Sequence, residues 1–324
     1  MTSWCRVIEY RTFANRDPAR IAALWNASPL GRGAATGIGV DAFETLNFAQ
    51  PYFDRKGVIL ACDGDDVVGF THAGFGANAD ETALSYDAGV VCAVVVHPNY
   101  RRQGIGRELV RRAEAYLRER GAKKLQGGPS APLDPFFFGL YGGSRPSGFM
   151  ESDPDAAPFF TAMGYQPAER HGVYQCDLTT QRGPMSFRFV NVRRKMELTV
   201  SPEPSNVSWW WETRYGRLDT VQFSLQSKEN PAEVAELTVV GLDLYLTAWQ
   251  QRAVGLAELR TVTTELRKGY AQALLVETCR RLKDELVTLA EAHAIESNTP
   301  VVKLLESCGF GRVDTGVVYV KAEP

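Results

Sequence analysis

The chain has 324 residues, of which 44% are hydrophobic and 23% are charged, and its formal net charge is −2. This length predicts two domains, each large enough for its own core. The balanced charge provides no electrostatic footprint for nucleic acid or for an anionic membrane, so we expect neither as a partner. Val90–Val96, the longest apolar run, is too short to span a bilayer. Met1 leads into a segment without a signal-peptide pattern, which predicts a cytoplasmic protein.

The cysteines and histidines indicate no covalent or metal framework. Six cysteines are scattered without paired spacing, and the four histidines lie apart from one another and from any cysteine pair. We therefore expect reduced thiols in the core and no metal site.

The N-terminal third alternates helical and strand-like patterns. Asp17 and Pro18 precede an amphipathic stretch, which predicts a helix with Asp17 as its N-cap. Two apolar runs, Val58–Cys62 and Val67–Phe75, flank the turn sequence Asp63–Asp66. This arrangement predicts a β-hairpin.

The most informative motif follows the third strand-like run. Val90–Val96 ends at His97-Pro98, and Arg101-Arg102-Gln103-Gly104-Ile105-Gly106 leads into a helical pattern that ends near Gly121. Free backbone N–H groups at such a helix N-terminus favour an anion, and a diphosphate suits the site. A dinucleotide-binding fingerprint is excluded because Leu109 replaces its third glycine, and no Gly-Lys-Ser/Thr follows as in a Walker loop.

Later in the chain, Phe159-Phe160 is followed after two residues by Met163-Gly164-Tyr165. The run Arg101–Gly106 resembles the acetyl-CoA pyrophosphate loop of the GNAT N-acetyltransferases, and Phe159–Tyr165 resembles their late helix. The order and spacing agree from about residue 5 to residue 178. The resemblance implies a mixed α/β sheet and acyl transfer from acetyl-CoA to an amine.

The second half repeats this pattern. Glu265–Ala271 resembles a second copy of the loop, and Leu304–Phe310 resembles a second late helix. Gly104 and Gly164 are 60 residues apart, whereas Gly269 and Gly309 are 40 apart, so the first copy contains an insertion near 127–150. We predict two GNAT-like domains in tandem, 1–180 and 185–324, joined by a linker at Thr179–Pro184.

The resemblance implies which residues bind acetyl-CoA. The N–H groups of residues 102–107 would hold the diphosphate, and the backbone of the strand before the loop would hold the pantetheine arm. The second loop has Leu266 in place of Arg101, so we expect weaker phosphate binding there. The expected cofactor-binding residues are Val94, Val95, Val96, Arg101, Arg102, Gln103, Gly104, Ile105, Gly106 and Arg107.

The family's usual acid is missing. The resemblance places its tyrosine at Phe160 in the first copy and at Leu305 in the second, and neither side chain can donate a proton. Other hydroxyl groups that could serve are those of Tyr141, Ser144 and Tyr165. Of these, we take Tyr141 as the candidate.

The identity of the general base is equally open. Asp87 precedes the strand Val90–Val96 and could face the acceptor, and we take it as the candidate base. Asp134, Glu151 and Asp153 lie in or beside the insertion and are the alternatives.

The insertion combines aromatic residues with prolines and turn glycines, which predicts an ordered loop rather than a disordered one. Such a loop could roof the acceptor site, with Asp134, Tyr141 and Arg145 contacting the substrate, or it could pack between the domains. A further aromatic run, Trp209–Trp211, is typical of a strand, either at a domain contact, which we favour, or in a wall of the acceptor pocket.

These features together predict an acetyl-CoA-dependent N-acetyltransferase that acts on a small-molecule primary amine in its N-terminal domain. Two alternatives remain. The chain could be a non-catalytic acyl-CoA-binding protein, or the C-terminal copy could catalyse while the N-terminal copy is structural. The acceptor, the acyl chain and the oligomeric state stay open.

Overall fold

A computed structural model describes residues 7–180, 192–202, 204, 207–229 and 233–322. The chain forms two compact units. The first unit comprises the residues up to Gly142, Pro146–Glu169 and the residues from Val317 onward, and the second comprises Gly143–Arg145 and Arg170–Gly316. These units exchange segments relative to the predicted domains 1–180 and 185–324. Most of the predicted linker, residues 181–184, lies outside the described residues.

The first unit is built on a mixed sheet with strand order β1-β2-β3-β4-β5-β13. The predicted hairpin is present, since β2 and β3 are antiparallel with Asp63 opposite Asp66. β4 runs antiparallel to β3 and parallel to β5. The strands of this unit are β1 (Glu9–Thr12), β2 (Val58–Asp63), β3 (Asp66–Ala77), β4 (Leu84–Val96), β5 (Lys124–Gly127), β6 (Phe149–Met150) and the end of β13 (Gly311–Lys321).

Helices cover this sheet because their apolar stripes match the helical period. In α3 the buried positions include Leu109, Val110, Ala113 and Leu117, and this face packs on β3 and β4. The helices of the first unit are α1 (Pro18–Asn26), α2 (Val40–Phe43), α3 (Ile105–Glu119) and α4 (Ala156–Ala162).

Asp17 occupies the N-cap position of α1, as predicted, but its side chain binds elsewhere. Its carboxylate makes no cap hydrogen bond and instead accepts two hydrogen bonds of 2.7 Å from the Arg11 guanidinium. Burial opposes ionisation of Asp17, but the bonds from Arg11 and from the Ala14 N–H outweigh it and lower the pKa. A bidentate charge-assisted pair binds the carboxylate more strongly than a helix N–H does, so it takes precedence over the cap.

The second unit repeats the sheet, with strand order β8-β9-β10-β11-β12-β7. β11 and β12 are parallel, as β4 and β5 are in the first unit. The strands of this unit are the later part of β7 (Tyr165–Asp177), β8 (Met196–Ser201), β9 (Thr220–Ser227), β10 (Glu233–Gly241), β11 (Ala253–Thr261) and β12 (Leu289–Ile295). Its helices are α5 (Trp209–Tyr215), α6 (Leu246–Trp249), α7 (Tyr270–Asp284) and α8 (Thr299–Ser307).

Part of β7 and the end of β13 each belong to the unit that is built mainly from the other half of the sequence. His171–Asp177 of β7 pairs with β12 in the second unit, with Tyr174 opposite Ala292. Near the other end of the chain, Tyr319 of β13 lies opposite Gly127 of β5 in the first unit. Each sheet is therefore completed by a strand from the other half of the sequence.

The tryptophan run was expected in a strand, and this expectation is wrong. Trp209–Trp211 forms the first turn of α5, where the Ser208 hydroxyl accepts a hydrogen bond of 3.0 Å from the Trp211 N–H. The N-cap serine starts a helix here despite the strand propensity of the aromatic residues. Trp210 and Trp211 are buried, while Trp209 is partly exposed.

The cysteines within the described residues are free thiols, and all five are buried. No helix among the described residues is long and apolar enough to cross a membrane.

Candidate active site

The loop between β4 and α3 has an unusual backbone. A short 3-10 turn, Pro98–Tyr100, follows β4, and α3 begins at Ile105 with Gly104 as its N-cap. Arg102 and Gly104 have φ values of 61° and 83°, in the left-handed region that non-glycine residues seldom enter. The N–H groups of the first helical turn lack intrahelical partners and carry the positive end of the helix dipole. The loop thus has the backbone geometry that favours an anion at a helix terminus.

The second loop keeps the same backbone with different side chains. Arg267 and Gly269 have φ values of 63° and 90°, and Gly269 is the N-cap of α7. Leu266, at the position of Arg101, is 54% exposed. Lys268 is held by Glu265 at 2.9 Å. The second loop therefore lacks the cationic side chain that the first loop has at Arg101.

A cleft with a volume of about 360 Å³ runs from the first loop along the end of β4. All the predicted cofactor-binding residues line it except Gln103, whose amide donates to the Asn99 carbonyl at 3.2 Å. Gly106 faces the Phe159 ring so closely that a Cβ would lie 3.1 Å from it. The structure thus brings together in one cleft a strand end, a loop and a helix start that are local in sequence.

Asp155 lies in the wall of the cleft and pairs with both loop arginines. Its carboxylate oxygens lie 2.8 Å from Arg101 Nη1 and 2.9 Å from Arg102 Nη2. Arg101 also donates through Nε to the Val96 carbonyl at 3.1 Å. The sequence analysis missed Asp155, because 53 residues separate it from Arg102 and no local pattern connects them.

A small chamber continues the cleft along β4. Its volume is about 30 Å³, and it shares Leu30, Val94, Val95, Phe149 and Asp153 with the cleft. A register shift in the β3–β4 ladder leaves Cys92 without an opposite residue, so β4 bulges at this point. The remaining lining residues are Trp25, Cys92, Ala93, Phe137 and Tyr141.

Residues 33–129 of the chain match the Acetyltransferase (GNAT) family. A tandem GNAT protein from the clavulanic acid biosynthesis pathway, solved without AcCoA, has a TM-score of 0.68 and 20% identity, over 98% of this chain and 99% of that one. These values show that both units share the tandem GNAT fold. The expected fold class, mixed α/β with two GNAT-like domains in tandem, is confirmed.

Two further solved structures are similar. A GCN5-related N-acetyltransferase from Sphaerobacter thermophilus has a TM-score of 0.63 and 16% identity, over 99% of this chain and 96% of that chain. A GCN5-related glucosamine N-acetyltransferase region of a fungal multi-domain GH3 beta-N-acetylglucosaminidase has a TM-score of 0.68 and 16% identity, and it matches 97% of this chain and 38% of that one. No sequence among the curated proteins matches the chain significantly.

The usual acid position of the GNAT late helix carries no proton donor here. Phe160 is buried at 2% exposure and lines the cleft. Its ring stacks on Phe149 and Tyr319, with centroid distances of 4.7 Å and 5.3 Å. The nearby Tyr165 hydroxyl donates to Glu114 at 3.0 Å, and burial raises its pKa. Tyr165 therefore serves the core rather than the cleft.

Tyr141 is the hydroxyl that lines the chamber. Its oxygen accepts a hydrogen bond of 3.0 Å from the Met150 N–H, which fixes the ring. Backbone hydrogen bonds from Ala35 to Leu140 and from Gly142 to Gly33 hold this part of the insertion. Ser144, the other hydroxyl candidate, lies in the second unit and does not line the cleft or the chamber.

Among the candidate carboxylates, the structure brings only Asp153 to both cavities of the first unit. It is half-buried, its Oδ1 accepts a hydrogen bond of 3.0 Å from the Asp155 N–H, and burial raises its pKa. Glu151 is exposed. Asp134 is completely buried and lines neither cavity, although its charge adds to the burial that raises the pKa of Cys92.

Two of the expected site residues lie elsewhere. Asp87 is near the far end of β4 from Val96, with a side chain that is 77% exposed and 3.3 Å from Lys123. The cleft lies at the Val96 end of β4, so Asp87 is too far along the strand to face it. Arg145 belongs to the second unit and lines neither cavity.

The insertion fits both of its interpretations in part. Phe137 and Tyr141 wall the chamber of the first unit, as a roof over a reaction site would. Gly143–Arg145 instead packs within the second unit, where the Ser144 N–H donates to Glu291 at 3.0 Å and the Gly143 N–H donates to the Tyr245 hydroxyl at 2.9 Å.

Proposed function

We propose that the first unit transfers an acetyl group from acetyl-CoA to the primary amine of a small molecule. One observation carries this proposal: the loop and the end of β4 line the cleft, and the chamber shares five lining residues with that cleft within a single unit. A diphosphate on the N–H groups of residues 102–107 would start the path. The pantetheine arm would then follow Val94–Val96, and the thioester would end at the chamber.

The chemistry requires a neutral amine and a proton for the departing thiolate. Asp153 is the base of our proposal, because it lines the path and its raised pKa brings it closer to the range where a base works at neutral pH. Asp153 thus replaces Asp87, which the sequence analysis took as the candidate base. The amine nitrogen then attacks the carbonyl carbon of the thioester, the C–S bond breaks, and the sulfur takes a proton.

Tyr141 is the proton donor of our proposal, since its ring walls the chamber where the thioester would lie. Phe160, at the usual acid position, cannot take this role. Cys92 is not a covalent nucleophile in this scheme, because burial and the charge of Asp134 raise its pKa and keep it a thiol.

A small-molecule acceptor is favoured by the aromatic walls of the path, which suit an amine with an apolar body. The fungal region with a similar fold is named for glucosamine, which is also a small amine. Donor binding in the first unit is favoured by Arg101, since Leu266 takes its place in the second loop.

The test measures CoA thiol release with acetyl-CoA and a panel of small primary amines. We expect turnover in the wild-type chain and a loss of about 10²-fold or more in both Asp153→Asn and Tyr141→Phe. Binding of acetyl-CoA without turnover on any amine would instead support the non-catalytic acyl-CoA-binding alternative.

A further inference from the structure

The chamber at the end of the proposed donor path is far smaller than the cleft that leads to it. The cleft has about 360 Å³ and the chamber about 30 Å³. A cavity needs roughly 10–15 Å³ to hold one water molecule. The chamber therefore holds two or three groups of that size, such as the carbonyl and methyl groups of an acetyl ester. A butyryl chain carries two further methylene groups and exceeds this space.

Phe137 forms one wall of this chamber from the insertion. Its φ of 68° is left-handed, which is rare and strained for a bulky residue. Its N–H donates a hydrogen bond of 2.8 Å to Asn47 Oδ1, which holds the backbone in this strained shape. Strain of this kind persists where surrounding contacts fix a side chain in a required position.

The ring of Phe137 lies against a fixed surface. It stacks on Trp25 with a centroid distance of 5.6 Å and an interplanar angle of 7°. Trp25 is anchored in turn, because its indole N–H donates to the Ala35 carbonyl at 2.8 Å. Since Phe137 is only 2% exposed, its ring has no room to retreat from a longer acyl chain.

We propose that Phe137 determines the length of the acyl group that the donor site accepts, admitting acetyl and excluding butyryl. This inference rests on the proposed function, because it takes the chamber as the place of the acyl group. Phe137 acts as a size limit in an apolar pocket, where one methylene group changes discrimination by about 10–200-fold.

The test titrates CoA, acetyl-CoA and butyryl-CoA into the full chain by calorimetry, so that no amine acceptor is needed. The variant is Phe137→Gly, because glycine keeps the left-handed backbone while it removes the ring. The matched control is Phe138→Ala, which truncates the adjacent buried ring that lines neither cavity. If Phe137→Gly fails to fold by circular dichroism, Phe137→Leu replaces it.

We expect wild type and Phe138→Ala to bind acetyl-CoA at least about tenfold more tightly than butyryl-CoA. In the Phe137 variant this preference should fall to roughly threefold or less, with the affinity for free CoA unchanged. Equal binding of the two esters by wild type would overturn the inference, and so would a folded Phe137 variant that keeps the wild-type preference. Failure of both CoA and acetyl-CoA to bind would overturn the proposed function itself.

Discussion

Arg101 and Asp155 face each other across the mouth of the cleft at 2.8 Å, and the second oxygen of the same carboxylate holds Arg102. The two loop arginines are thus paired with an internal anion at the place where we propose a diphosphate. Asp155 competes with the phosphates for these arginines and also repels them.

Asp155→Asn should therefore tighten CoA binding, by about two- to fivefold at low salt, and the gain should shrink as salt screens the charges. Calorimetry at two ionic strengths measures this. Asp65→Asn, at the exposed tip of the β2–β3 turn, controls for the change in net charge. Weaker CoA binding in Asp155→Asn would show instead that Asp155 orients the arginines for the ligand.

Gly104→Val should weaken CoA binding by on the order of tenfold or more, because a β-branched residue is strained at a φ of 83° and distorts the loop. Gly269→Val is the matched control, since its φ of 90° imposes the same strain in the second loop. We expect Gly269→Val to keep the wild-type affinity in calorimetry. The reverse outcome would move the donor site to the second unit.

Asp153→Asn should remove the acidic limb of the pH dependence of kcat. As the base, Asp153 must be ionised, so the rate is lost as the pH falls through its pKa. Because burial raises that pKa, this loss should begin at a higher pH than for an ordinary aspartate. The measurement is kcat against pH at saturating amine, with the exposed neighbour Glu151→Gln as control. An unchanged profile in Asp153→Asn would exclude it as the base.

Phe160→Tyr should raise the acetylation rate by about tenfold, because it places a hydroxyl on a ring that lines the cleft. It should also make Tyr141→Phe less harmful, since two donors would then serve one leaving group. A double-mutant cycle on kcat measures this coupling. Additive effects would show that the two rings do not share a role.

His72 should make the fold sensitive to acid. It is 1% exposed in β3, its ring stacks on Phe136 at 3.8 Å, and burial lowers its pKa from 6.5 to about 3. The unfolded chain then binds a proton that the folded chain refuses, so stability is lost as the pH falls from 6.5 toward 3. This loss is about 2 kcal/mol at pH 5.

Urea unfolding at pH 7 and pH 5 checks this prediction for His72. His72→Leu should abolish that share of the pH dependence, whereas His97→Gln, at a less buried position, should retain it. Equal pH dependence in wild type and His72→Leu would contradict the assignment.

The parts of the site that were predictable from the sequence are local in the chain. The loop from Arg101 to Gly106 and the helix after it follow from glycine spacing and helical periodicity, and the structure has both. Asp153 was only one of three alternatives to Asp87, and Asp155 was not predicted at all, because only the fold brings both residues to the cleft. Asp17 lies at the N-cap position that was predicted, but the pairing of its carboxylate with Arg11 cannot be inferred from a helix-start pattern.

The sequence also did not predict which sheet each exchanged strand joins. β7 and β13 each follow a late helix and a glycine, at Gly164 and Gly309, and each has an apolar segment that suits a sheet. Hydrophobic patterning fixes which face of such a strand is buried but not which sheet it joins. The choice between the two sheets depends on contacts far apart in sequence.

The exchange sets an order of events during protein synthesis. The sheet of the first unit ends at β5 until Tyr319 and Val320 are available to pair with it. At a translation rate of roughly 5–20 residues per second, a ribosome needs about ten to forty seconds to pass from residue 127 to residue 319. During that interval the nascent chain presents β5 with an open edge, a period in which chaperone binding would protect it from pairing with another chain.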